Sequence, residues 1–109
     1  MKISELVNKT DLKAINTYKD REIEGIYISD MVSDIITIAK ANRLLITHQT
    51  HKSLIATANL VDVAAIVFVK GVKLPDDVIQ LANKAKIALF STEADTWTLA
   101  SKLVAIGIK

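Results

Sequence analysis

Two histidines, His48 and His51, stand three positions apart and are the only two in the chain. They belong to a polar knot, Thr47-His48-Gln49-Thr50-His51, inside the stretch LITHQTHKSLIATANL at residues 45–60. Hydroxyl, carboxamide and imidazole groups in one short turn could hold a metal, move a proton or bind an anion. Metal is the weakest of these. His-x-x-His is not the i, i+4 pair that puts two ligands on one helix face, and the sequence has no His-Glu-x-x-His. No carboxylate or thiol lies inside the knot to complete a ligand set. The expectation is therefore no metal site and no cofactor. Nucleophilic catalysis lacks its Gly-x-Ser-x-Gly elbow. Neither a P-loop nor a dinucleotide fingerprint can be built from three glycines, Gly25, Gly71 and Gly107. A non-enzyme is expected, with acid/base chemistry at His48 or His51 the least favoured of three readings.

What such groups can do depends on the elements that hold them. ISELVNKT, with Ile3, Leu6 and Val7 on one face, predicts a short N-terminal helix, and Leu12, Ala14 and Ile15 suggest a short strand. From Gly25 onward the rhythm is regular. Apolar runs near 25–28, 43–47, 64–69 and 87–90 predict strands, and amphipathic stretches between and after them predict helices. Ser29 and Asp30 are expected to cap the first of those helices, Thr50 the second, and Thr92 with Asp95 to form a capping box at the last. Pro75, Asp76 and Asp77 read as a helix start and Gly107 as a helix stop. The helix after Asp30 has apolar residues around most of its circumference, so little of it should be exposed. Trp97, in step with Ala100 and Val104, reads as core or dimer surface.

Strand–helix alternation of this kind predicts one α/β domain over residues 1–109, with a mainly parallel sheet of four to five strands flanked by helices. VAAIVFV has no polar side and should lie inside the sheet. In a parallel sheet the strand-to-helix turns share one edge, where ligands of open α/β sheets usually bind. That edge would collect Ser29, Asp30 and Ser33 from one turn, Thr47, Gln49, Thr50 and His51 from the next, and Gly71 from a third. The bland alternative is that these residues only cap helices.

Composition narrows the partners. Half of the residues are hydrophobic, and a mean hydropathy of +0.31 in 109 residues suggests that another subunit covers part of the surface. The formal net charge of +2 comes from scattered lysines, giving little support for nucleic-acid binding. No apolar run reaches the roughly eighteen residues of a membrane span, and MKISELVNKTDLK is not a signal peptide. The absence of cysteine fits a reducing, cytoplasmic setting.

The order of these pieces resembles the DRTGG domain family. The resemblance is carried by Asp30-Met31-Val32-Ser33, Thr47-His48-Gln49-Thr50-His51, Ala56-Thr57-Ala58-Asn59-Leu60 and Gly71, and continues through Pro75 and IALFST to the closing IGI, over residues 23–108. The family's naming motif, Asp-Arg-Thr-Gly-Gly, is absent as such. The resemblance implies a fold similar to the N-terminal domain of HPr kinase/phosphorylase, without the kinase half. It also implies a dimeric regulatory or ligand-sensing role with an adenine nucleotide or other phosphate-bearing ligand, and the shared edge of the turns places that ligand at Ser29, Asp30, Ser33, Thr47, Gln49, Thr50, His51 and Gly71. The alternative is a ligand-free assembly module that docks a protein partner.

Overall fold

The structure is a computed structural model and describes residues 1–108. Helix α1 (Ile3–Lys9) and the two-residue strand β1 (Lys13–Ala14) come first. Four strand–helix units follow: β2 (Gly25–Ile28) and α2 (Val32–Ile38), β3 (Arg43–Thr47) and α3 (Lys52–Val61), β4 (Ala65–Phe68) and α4 (Asp76–Ala85), β5 (Ala88–Ser91) and α5 (Thr96–Ala105). The strands form one sheet in the order β1-β5-β4-β3-β2. β2 to β5 are parallel, and β1 pairs antiparallel with β5 through Lys13 opposite Ser91 and Ala14 opposite Phe90.

Each successive parallel strand is laid down one place further along the sheet. Crossovers of one hand then put the intervening helices on the same face. The packing agrees: Ile35 of α2, Leu54, Ile55 and Ala58 of α3, and Val78 and Ala82 of α4 share a core with Leu45, Ile66, Phe68 and Leu89 of the sheet. The opposite face packs Ile3 and Leu6 of α1 and Leu99 and Leu103 of α5 on Leu44, Ile46, Val67 and Phe90. The alternation of Leu44 and Ile46 with Leu45 is the pleat sending neighbours to opposite faces. Because both faces are covered, all four residues of β4 are buried, which is why VAAIVFV needs no polar side.

Helix ends differ from the sequence expectations. α2 spans only seven residues, with Met31 as its N-cap and no side-chain cap bond. Neither Ser29 nor Asp30 caps it in the expected way; the Ser29 hydroxyl accepts from the Met31 amide at 3.1 Å, closing a turn ahead of the helix. His51, not Thr50, is the N-cap of α3, again without a side-chain bond. At α5 the cap is Asp95, which accepts from the Thr98 amide at 2.8 Å, while Thr92 accepts from Ala94 and closes its own turn. The Thr98 bond holds the Asp95 carboxyl below the ordinary range. Gly107, at φ 103°, follows α5, and the Gly107 and Ile108 amides bond back to Val104 and Leu103. That is the six-to-one closure expected after a helix. α2 also departs from expectation in exposure. Only Ile35 is buried, and Met31, Ile36 and Ile38 are each about half exposed or more. The helix is short and lies at the end of its layer, with α3 as its helical neighbour. Trp97 is 79% exposed and is not core.

The two sheet edges are treated differently. Beyond β1, the Ile15 amide bonds to Leu89, and the Asn16 side chain bonds both the Ile87 carbonyl and the Leu89 amide at 2.9 Å. A carboxamide thus continues the ladder where the backbone leaves it, and the β5 edge is closed. β2 ends the sheet on the other side without a strand partner. At its amino end, Met1, Ile23, Glu24 and Gly25 line a hollow of about 210 Å³ with Gly107 and Ile108.

Candidate functional site

All four strand-to-helix turns lie on the carboxyl edge of the parallel strands, as the alternation requires. Their order across the edge follows the sheet: residues 92–95, 69–75, 48–51 and 29–31. Two clusters form there.

The first joins the turns after β2 and β3. The Asp30 carboxylate accepts from the Thr47 hydroxyl at 2.8 Å and from the His48 amide at 2.9 Å, both through Oδ1. Its other oxygen, Oδ2, lies 3.1 Å from His48 Nδ1. The Thr47 hydroxyl accepts in turn from the Gln49 amide at 3.1 Å. Thr47 is buried to 1% exposure, because it ends β3 between two covered strands, whereas the Asp30 and His48 side chains are 41% and 48% exposed. A buried hydroxyl is costly unless bonded. Here both its donor and its acceptor capacity are used, by groups from two turns. The arrangement binds the β2 turn to the β3 turn, and it is the only carboxylate–imidazole pair within 4 Å among the described residues.

Of the expected site residues, Asp30 and Thr47 are joined through their side chains and Gln49 through its backbone amide, while the Ser29 hydroxyl bonds within its own turn. Ser33, Thr50 and His51 lie on the same edge, but no hydrogen bond joins their side chains to this cluster among the described residues. Ser33 and His51 are exposed and Thr50 is half-buried. His48 was missing from the expected ligand set. The i to i+3 pairing with His51 drew attention along the chain, whereas its partner, Asp30, lies 18 residues away.

The second cluster joins the turns after β4 and β5. Lys70 and Gly71 both have left-handed backbones, at φ 62° and 63°. Their amides donate to Ala94 and Thr92, each at 2.9 Å. A Cβ on Gly71 would stand 2.3 Å from a Glu93 carboxylate oxygen. The carboxylate ends a flexible, exposed side chain, so Gly71 is required by its left-handed backbone, a need distinct from binding a ligand. Beside this cluster, Asp11, Lys13, Ser91, Thr92, Glu93 and Ala94 line a hollow of about 280 Å³.

No group of three or more His, Cys, Asp or Glu side chains gathers closely enough to hold a metal ion among the described residues. Among the described residues no helix is long and apolar enough to cross a membrane.

A family model described as the DRTGG domain matches residues 5–106. The match takes in α1 and β1, which lie outside the 23–108 span read from the sequence. Among solved structures, the chain is similar to the CBS and DRTGG domains of the regulatory region of Clostridium perfringens pyrophosphatase, complexed with its activator, diadenosine tetraphosphate. The TM-score is 0.71 at 14% identity, over 94% of this chain and 45% of that one. The chain therefore spans less than half of that regulatory region. No curated protein matches it.

Proposed function

The chain belongs to the DRTGG domain family, and from that premise we propose that it is a non-catalytic, ligand-sensing regulatory domain. Its ligand is a small phosphate-bearing molecule, with an adenine nucleotide the first choice. The observation that carries this reading is the joining of Asp30 to Thr47 and His48 across adjacent strand ends. The carboxyl edge of a parallel sheet is where α/β folds take their ligands. Gln49, Thr50 and His51 flank the first turn of the ten-residue helix α3, whose amides add partial positive charge. The nucleotide class is supported by the fold likeness to a regulatory region bound to an adenine dinucleotide.

The working form is a cytoplasmic homodimer. Met31, Ile36 and Ile38, with Ile28 on the edge strand β2, give that end of the molecule exposed apolar groups that a second subunit would cover. The same feature favours the second reading, an assembly module that uses this surface for a protein partner and binds no ligand.

Thermal melting with AMP, ADP, ATP and dinucleoside polyphosphates separates the two. Ligand at about one hundred times its dissociation constant stabilises the fold by roughly 2.7 kcal/mol, a melting shift on the order of 10 °C for a domain of this size. Gln49→Ala and His51→Ala should keep the fold and lose most of the shift. A melting curve unmoved at millimolar nucleotide would leave the assembly module as the better account. Light scattering that shows a monomer at micromolar concentration would remove the dimer.

A further inference from the structure

We propose that Asp30 sets the anion selectivity of the strand edge by acting as an internal ligand: its carboxylate fills the donor site that a phosphate would use, and an anion enters only by displacing it. The proposal rests on the ligand-binding reading above and describes how that site is regulated.

Two donors converge on one oxygen of this side chain, the Thr47 hydroxyl and the His48 amide, and His48 Nδ1 stands 3.1 Å from the other oxygen. They come from a turn 17 and 18 residues further along the chain. A hydroxyl and a backbone amide converging on one oxygen, with an imidazole beside the other, are groups that a phosphate would recruit. The carboxylate is not occupied with its own helix. α2 begins at Met31 without a side-chain cap, and Ser29 takes the Met31 amide. The Thr47 hydroxyl cannot turn elsewhere, since it is buried and its lone pair serves Gln49. An incoming phosphate therefore meets donors already in use and a negative charge beside them. Asp30 is 41% exposed, so its side chain has solvent to swing into. The site is closed by a group that can leave.

The test is calorimetric titration of the whole chain with two probes, inorganic pyrophosphate and ADP. Asp30→Asn keeps an oxygen that accepts from Thr47 and the His48 amide, removes the charge and puts an NH2 in place of the oxygen beside His48 Nδ1. Asp30→Ala removes the occupant. Both should bind pyrophosphate more tightly than the unaltered chain, by about tenfold or more, as expected when a like charge a few ångströms away is removed. Thr47→Val in the Asp30→Ala background should cancel the gain, because the freed hydroxyl is one of the donors. Should Asp30→Ala fail to fold, Asp30→Asn carries the comparison. Equal or weaker binding by the variants would overturn the internal-ligand role and leave the ligand reading standing. A gain that survives Thr47→Val would also overturn it, by exposing a general charge effect. If neither probe binds the unaltered chain or any variant, both readings fall together.

Discussion

Replacing Thr47 by valine tests the join between the β2 and β3 turns with little change in shape. Valine is close to isosteric and equally at home in a strand, so the perturbation is the loss of one hydroxyl at a position 1% exposed. Two bonds go with it: the 2.8 Å donation to Asp30 and the 3.1 Å acceptance from the Gln49 amide. A bond to a charged acceptor contributes about 1.5–3 kcal/mol when buried, and a neutral one about 0.5–1.5 kcal/mol. The Asp30 carboxylate is 41% exposed, so solvent replaces part of the first contribution. The Gln49 amide is half-buried and can turn partly to water. The net cost should be about 1–2 kcal/mol, which lowers the melting temperature by roughly 4–8 °C for a domain of this length. Urea denaturation should move the midpoint and leave the slope unchanged. A cycle with Asp30→Ala should give a coupling of about 1 kcal/mol, since each change removes the other's partner. A valine variant within about 0.3 kcal/mol of the unaltered chain, or strict additivity with Asp30→Ala, would refute the claim that this bond ties the turns together.

Gly71→Ala should cost about 1–2 kcal/mol from the left-handed backbone alone, read from denaturant midpoints. Little of that should return in the Glu93→Ala background, because the clashing carboxylate ends a flexible, exposed side chain. Thr50→Ala should melt within a few degrees of the unaltered chain, since Thr50 does not cap α3, whereas Asp95→Ala should lower the melting temperature measurably by removing the bond to Thr98. The Asp95 and Asp20 carboxyls are held below their ordinary value of 3.8, by Thr98 and Ser4 respectively. Their native forms thus bind fewer protons than the unfolded chain in acid, and the stability they lend is present above about pH 4 and lost as pH falls through their native values. Melting across pH 2–7 should show that acid loss, and Asp95→Asn should shrink it. Emission from Trp97, the only tryptophan and 79% exposed, should resemble that of free indole in dilute solution. A blue shift on concentration would place α5 in a subunit contact.

The strands were legible because burial on both faces leaves a simple signature. Runs expected at 25–28 and 43–47 are found there, and those expected at 64–69 and 87–90 are found at Ala65–Phe68 and Ala88–Ser91. The order in which they lie side by side is a tertiary fact, as is the pairing of β1 with β5, although a strand was expected near Leu12, Ala14 and Ile15. The caps were less legible. Ser29, Asp30, Thr50 and Thr92 are all residue types that cap helices, yet only contacts across space decide what they bond. Asp30 had the choice of its own helix or the next turn, and the buried Thr47 hydroxyl settled it. The exposure of α2 misled for a related reason. An apolar helix reads as buried whether its cover comes from its own chain or from another molecule. The meeting of Asp30 with His48 has no local signature, because parallel β2 and β3 are joined through an intervening helix.

The hollow shared by Met1 and Ile108 has a consequence for how such a domain can be combined with others. It opens at the amino end of β2, on the sheet edge opposite the turns that carry Asp30 and Thr47. Both ends of the fold therefore leave from one place, and the edge that carries Asp30 and Thr47 points the other way. A host protein could carry this unit as an insertion in a surface loop, through two adjacent strands of linker, without crossing the edge that carries Asp30 and Thr47. The same geometry makes the fold suited to circular permutation. A short bridge from Ile108 to Met1, with new ends opened in the exposed Ala41 turn, would reorder the chain and keep all three parallel strand pairings in register.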